Sequence, residues 1–92
     1  MKRTPSERLL DKHTELVHSE MQQVISHVQR QNGEWFLNTV MLEGYDVPFK
    51  YKRKKQYRSL KGARVNLTYY PDAATVAGIP VEVMRVVRIV RS

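Results

Sequence analysis

The stretch WFLNTVML, residues 35–42, decides the fold, because it is apolar at both its odd and its even positions. A short segment with this pattern is typical of a β-strand that is covered on both faces. The residues that follow, EGYD at positions 43–46, are turn formers. We therefore predict a central strand that ends in a turn.

Two further segments alternate between apolar and polar residues, which is the period of a strand with one buried face. Residues 47–54 read VPFKYKRK, and residues 63–70 read ARVNLTYY. Pro48 indicates a strand start or a sheet edge, since proline cannot donate to a β-ladder. The segment 47–54 is expected to form a hairpin with the central strand, and residues 56–62 are expected to form a linking loop.

The C-terminal segment Val81–Val90 is rich in valine, which favours a final strand. Its valines at 83, 86, 87 and 90 also fit helical spacing. A bulge near Met84 or a short helix therefore remains an alternative to one regular strand.

The N-terminal segment has the pattern of a helix. Thr4-Pro5-Ser6-Glu7 forms a capping box with proline at the first helical position. Leu10, Val17 and Val24 then recur at intervals of seven, within a wider apolar stripe. We predict a long helix over about residues 5–31, ended by Asn32-Gly33.

These elements predict one α+β domain over residues 1–92, because a chain of this length supports a single core. The long N-terminal helix covers a β-rich body over about residues 34–91. The body is expected to be a four- or five-stranded antiparallel sheet, curled into an SH3-like or OB-like partial barrel. The same helix stripe resembles a coiled-coil seam, so the chain is expected to be a monomer or a homodimer through this helix.

Basic residues are concentrated between Lys50 and Arg64, where eight of fifteen positions are Lys or Arg and none is acidic. The whole chain carries a formal charge of +7. Such a cluster is either a docking surface for phosphates or a solubilising surface. Strand alternation would place Lys50, Lys52, Lys54 and Arg64 on one solvent face with Asn66, Thr68 and Tyr70. The candidate phosphate contacts are Lys50, Lys52, Lys54, Lys55, Arg58 and Arg64, with Tyr57 and Tyr70 as stacking rings.

The favoured function is therefore a non-enzymatic module that binds RNA or single-stranded nucleic acid with low sequence specificity. No ribonucleoprotein motif, KH glycine loop, zinc finger or basic zipper accompanies the basic residues. The alternative is a protein-interaction or homodimerising structural module whose basic surface serves solubility.

Other chemistry has little support. The chain has no cysteine, which excludes disulfides and thiolate chemistry. His13, His18 and His27 lack the i, i+4 spacing of a helical metal site, and Asp46 and Asp72 occupy turn positions. We expect no catalytic residue, metal or cofactor, and a cytoplasmic protein with no membrane segment.

Three runs resemble a family of small uncharacterised bacterial proteins: residues 36–44, residues 47–54 and residues 67–71. The resemblance covers roughly the C-terminal two-thirds of the chain. It implies a bacterial cytoplasmic protein with a compact β-rich body, and it carries no functional residues with it.

Overall fold

The computed structural model describes residues 16–92, and this part of the chain is all-β. Its strands are β1 (Val17–Asn32), β2 (Trp35–Leu42), β3 (Phe49–Arg53), β4 (Arg64–Val76) and β5 (Ile79–Arg91). The predicted α+β class is wrong, because the segment Val17–Asn32 is a strand and not the second half of a helix. The rest of the predicted helix, residues 5–15, lies outside the described residues.

The five strands close into a barrel in the order β1-β2-β3-β5-β4, with β4 pairing back onto β1. The partial barrel expected from the sequence is therefore a closed one. Neighbouring strands are antiparallel except β3 and β5, which run parallel over Phe49↔Met84 and Lys50↔Arg85. Strand β1 is long enough to serve two partners, pairing with β4 through its first half and with β2 through its second.

The helix prediction failed because β1 is interrupted twice. Its register shifts between Ser19 and Gln22 and again between Val24 and Ser26. An extra residue at a bulge reverses which parity faces the core. The inward positions of β1 are therefore separated alternately by two and three residues, a pattern that lies between strand and helix. Val24 is fully buried, whereas Met21 and Val28, which helical spacing would place on the same face as Val24, lie half exposed on the outer surface.

Asn32-Gly33 was interpreted as a helix stop, but it begins the hairpin that joins β1 to β2. Asn32 pairs with Trp35, so the turn residues are Gly33 and Glu34. Gly33 has a φ of 63°, a left-handed conformation that glycine adopts without steric cost. A short turn with a left-handed glycine is a frequent hairpin connection.

The barrel interior is filled by the alternate residues that the sequence assigned to it. Phe49, Val65, Leu67 and Tyr69 are buried, as the alternation in β3 and β4 predicted. The Phe49 ring meets the rings of Tyr45 and Tyr69 edge to face, with centroids 5.3 and 4.9 Å apart. The other residues of this cluster come from β1 and β2 and are Val24, Val40 and Leu42, and Val83 of β5 is also buried.

Two further predictions from the sequence concern β3 and β5. The hairpin between β2 and β3 is confirmed, with Leu37 opposite Lys52 and Val40 opposite Phe49. The favoured final strand is confirmed as β5, and its bulge lies opposite Thr68 and Tyr69, beyond Met84, where the alternative had placed one. Residues 16–92 include no helix with the length and hydropathy needed to cross a membrane.

Candidate nucleic-acid interface

A row of polar side chains crosses the outer wall of the barrel from β3 to β4. Lys50 of β3 is level with Arg85 of β5, and Arg85 is opposite Tyr70 of β4. The pleat explains the row, because Phe49 points into the core and its neighbour Lys50 must point outward. Three strands thus bring two cations and a phenol ring side by side.

This row borders a groove of about 390 Å³, which we call the outer groove. The β3–β5 ladder covers only two residues of each strand, and the groove opens beside the end of that ladder. Leu37 and Lys52, which are paired across β2 and β3, form its other border. The lining residues are Leu37, Lys50, Tyr51, Lys52, Tyr70, Ala74, Arg85 and Val86.

The cations of the outer groove differ in how far they are neutralised. The Nε of Arg85 donates to Oδ2 of Asp72 at 3.1 Å, so this guanidinium already has a counter-charge. Lys50 and Lys52 form no ion pair with any carboxylate among residues 16–92. The two lysines therefore supply most of the uncompensated charge.

Trp35, at the start of β2, lies next to the outer groove. The Lys54 Nζ lies 4.6 Å from its ring centroid and the Lys52 Nζ lies 5.9 Å from it. Lys54 also reaches Glu34, with 3.4 Å between Nζ and Oε2. The indole is 40% exposed, so part of one large aromatic surface faces solvent beside two ammonium groups.

Arg64 lies elsewhere, although alternation had placed it on the face of the lysines. It is opposite Gln23 of β1, and its Nη1 donates to the Met21 carbonyl at 3.1 Å. Strands β1 and β4 form the wall across the barrel from β3, because β2 and β5 intervene on either side. Asn66 and Thr68 also face β1, where they bond to Met21 and His18. Lys55 is exposed in the loop after β3.

Tyr57 and Arg58 line a second hollow, of about 200 Å³, which we call the barrel-end cavity. It lies between the loop of residues 54–63 and the open end of the barrel. Its other lining residues come from β1, β2, β3, β5 and the same loop and are His27, Asn38, Tyr51, Arg53, Leu60 and Ile89.

Two side chains of β1 hold this loop in place. The Nδ1 of His27 accepts a hydrogen bond from the Leu60 amide at 2.9 Å. The Gln29 side chain donates to the Tyr57 carbonyl at 2.7 Å and accepts from the Tyr57 amide at 3.1 Å. The backbone at Tyr57 is therefore fixed from both sides.

Tyr51 lines both hollows, since β3 runs between them. Burial raises the pKa of its hydroxyl, and the positive charge of Arg53 opposes this only in part. The Arg53 Cζ lies 4.7 Å from the centroid of the Tyr51 ring. At neutral pH the Tyr51 hydroxyl is therefore protonated and can donate a hydrogen bond.

Several of these residues were not predicted from the sequence. Arg85 was not among the residues predicted for the site, and Leu37 and Trp35 were interpreted as parts of a strand covered on both faces. Only the register between β3 and β5 reveals that Arg85 adjoins Lys50. Arg53 could have been found, because it shares the inward parity of Phe49 and Tyr51.

Comparison with protein-family models, curated proteins and solved structures finds no match to this chain. Its function is therefore inferred from its own geometry.

Proposed function

We propose that this chain is a non-enzymatic module that binds single-stranded nucleic acid, RNA or DNA, along the outer groove. The observation that carries the proposal is the row Lys50–Arg85–Tyr70, with Lys52 and Trp35 beside it. Lysine and arginine contact phosphates, and exposed aromatic rings stack on unpaired bases. The row places both kinds of group within one groove.

A single strand suits this surface better than a duplex. Sequence-specific reading of B-DNA usually places a helix or a two-stranded ribbon in the major groove. Residues 16–92 offer no helix, and the cations here lie along a groove and not on a projecting element. Stacking on Trp35 and Tyr70 depends little on base identity, so low sequence specificity is expected.

The fold adds a weaker analogy. Five-stranded Greek-key barrels of the OB type bind oligonucleotides on the face of their second and third strands. The strand order here, with β3 parallel to β5, is of that type, and the outer groove adjoins β2 and β3. A fold alone does not define a function, so the shared strand order is supporting evidence, and the row of side chains is the main observation.

The test is fluorescence anisotropy with labelled single-stranded RNA, single-stranded DNA and duplex DNA at two salt concentrations. The double variant Lys50→Gln/Lys52→Gln should weaken single-strand binding on the order of tenfold, at about 0.7 kcal/mol for each contact. It should also reduce the dependence of log K on log salt by roughly 0.7 for each lost contact.

The charge-matched control is Lys61→Gln/Arg64→Gln, which removes two cations that lie outside the groove lining. The affinity of this control for the single strand should be within about twofold of that of the unaltered chain, since it changes only the long-range electrostatic field. Equal weakening by the two double variants would show that net charge, and not the groove, determines binding.

One observation favours the alternative of a homodimerising module. The β4–β5 hairpin carries exposed apolar side chains near its tip, with Val76 at 55%, Ile79 at 64% and Val81 at 40% exposure. Such clusters often mark interaction surfaces. The version in which a helix pairs with its copy loses its basis, because residues Val17–Asn32 are a strand. Light scattering over a dilution series, with Ile79→Thr as the variant, tests whether the hairpin joins two copies.

A further inference from the structure

The barrel-end cavity has a chemical character that the outer groove does not share. Two guanidinium groups, Arg53 and Arg58, line it together with the polar side chains of His27 and Asn38. No carboxylate is among its lining residues, and neither arginine forms an ion pair within residues 16–92. The cavity therefore holds positive charge that the described part of the chain leaves uncompensated.

The hydrogen bonds of His27 determine its tautomer. Its Nδ1 accepts from the Leu60 amide, so the ring proton of the neutral imidazole is on Nε2. This Nε2–H donates to Oδ1 of Asn38 at 2.8 Å. The amide of Asn38 is fixed in turn, because its Nδ2 donates to the Phe36 carbonyl at 3.1 Å.

This tautomer leaves the Tyr51 hydroxyl with a free proton. The Tyr51 oxygen lies 3.4 Å from Nε2 of His27, and it can only accept there, since Nε2 carries a hydrogen. The Tyr51 O–H therefore has no acceptor within residues 16–92. It is a hydrogen-bond donor at the wall of a positively charged cavity.

Both arginines also keep donors free. Arg53 uses Nη1 for the Lys52 carbonyl at 2.9 Å and packs against the Tyr51 ring, which leaves its other N–H groups available. Arg58 makes no hydrogen bond to any residue in the range 16–92. A guanidinium has five N–H donors in a planar fork that matches the oxygens of a phosphate group.

The size of the cavity limits what can enter it. Its volume of about 200 Å³ is several times the roughly 30 Å³ that one water occupies in the liquid. It is smaller than the roughly 300–1,000 Å³ of pockets that enclose whole small-molecule ligands. A phosphate group with part of the attached sugar fits this range, whereas a complete nucleotide would extend out of the mouth.

We propose that the barrel-end cavity binds a phosphate monoester, presented either by the end of a nucleic-acid strand or by a mononucleotide. The strand-end source rests on the proposed function. Arg53, Arg58 and the Tyr51 hydroxyl donate to the phosphate oxygens. Tyr57 is 57% exposed beside this cavity, and its backbone is fixed by Gln29, so its ring is positioned to stack on the base that follows.

The experiment compares three oligonucleotides of one sequence, with a 5′-phosphate, a 3′-phosphate or two hydroxyl ends. Titrations of a nucleoside 5′-monophosphate and of inorganic phosphate accompany them. At least one phosphorylated strand should bind on the order of tenfold more tightly than the hydroxyl strand, which corresponds to about 1.4 kcal/mol from charge-assisted hydrogen bonds.

Two variants test the assignment, and each keeps most of the local packing. Tyr51→Phe removes one hydroxyl, and Arg58→Gln removes one charge from the loop. Each should abolish most of the preference for the phosphorylated end. Arg58, unlike Tyr51, lies outside the lining of the outer groove, so Arg58→Gln should also leave binding of the hydroxyl strand within about twofold. Lys61→Gln, with the same charge change in the same loop, should retain the preference.

The outcomes separate this inference from the proposed function. Equal binding of phosphorylated and hydroxyl strands, weakened in both by Lys50→Gln/Lys52→Gln, would support the outer groove and overturn the phosphate site. Binding of the mononucleotide alone, lost in Arg58→Gln, would support the site and overturn strand binding. No binding of any of these probes would overturn both.

Discussion

The backbone amide of Leu60 donates to Nδ1 of His27 across thirty-three residues of sequence, with 2.9 Å between the two nitrogens. On its other side the same imidazole donates to the buried amide of Asn38. One side chain thus joins the loop of residues 54–63 to the wall of the barrel. Unpaired polar groups at such a position cost free energy, because water cannot replace both partners.

His27→Ala should therefore lower the free energy of unfolding by about 2 to 4 kcal/mol, since it leaves the Leu60 amide and the Asn38 oxygen without a partner. Urea denaturation followed by circular dichroism measures the loss. His18→Ala is the matched control, because His18 bonds to Thr68 and Glu20 on the exposed surface. A loss no larger than that of His18→Ala would show that the His27 bonds contribute little.

The raised pKa of Tyr51 predicts a loss of stability in alkaline solution. Burial is the main cause of the increase, and the charge of Arg53 opposes it. Because the folded state holds this proton more tightly than the unfolded chain, the contribution is complete below the ordinary tyrosine value of about 10. It declines as pH rises from there through the pKa of the folded state.

The difference in free energy of unfolding between the unaltered chain and Tyr51→Phe should therefore be constant from pH 7 to about 9 and shrink above about 10. Chemical denaturation at each pH measures both proteins, and the absorbance of tyrosinate follows the ionisation directly. A difference that grows with pH above this point would contradict the assignment of a raised pKa.

Ala77 is a position at which a single substitution should stabilise the folded state. It precedes Gly78 in the turn between β4 and β5, and its φ of 51° is unfavourable for alanine. Asn-Gly is the preferred pair for a two-residue turn with both φ values positive. Ala77→Asn should raise the free energy of unfolding by about 0.5 to 1 kcal/mol.

Thermal unfolding measures this effect, which corresponds to an increase in Tm of about 2 to 6 °C for a domain of this size. Ala73→Asn in the same hairpin is the control, because Ala73 lies in the extended strand, where asparagine is disfavoured. An equal increase from both substitutions would rule out relief of left-handed strain as the cause.

The sequence predicts the elements of this fold where strands are regular. In β4 the buried residues Val65, Leu67 and Tyr69 alternate without interruption, so parity alone identified the inner face. In β1 the bulges around Met21 and Ile25 change which alternate positions face the barrel interior. The resulting spacing of inward residues resembles that of a helix. A bulge depends on the register with a partner strand, which local periodicity does not contain.

The candidate site was predictable to the same limited extent. The alternation of apolar and polar residues along β3 correctly predicted that Lys50 and Lys52 point outward, since each neighbours a residue that faces the barrel interior. It grouped them with Arg64 because it assumed that β3 and β4 are adjacent, whereas β5 separates these strands. Strand order is set by pairing between distant segments, and so the contribution of Arg85 required the three-dimensional structure.

Trp35 gives the proposed interface its own spectroscopic probe, because it is the only tryptophan in the chain. It lies 40% exposed with the Lys52 and Lys54 ammonium groups over its ring. A base that stacks on this ring should quench its emission, and each such contact is worth about 1 to 3 kcal/mol. Titration with single-stranded RNA should therefore reduce the fluorescence in proportion to the anisotropy change.

Trp35→Leu should weaken binding of the single strand about fivefold or more. The control Leu37→Ala tests whether loss of apolar area in the groove has the same effect. The two residues lie on the same outer side of β2, but only Trp35 offers a ring. Quenching should disappear for duplex DNA, whose bases are already stacked. Full binding without any change in Trp35 emission would place the nucleic acid on another surface of the barrel.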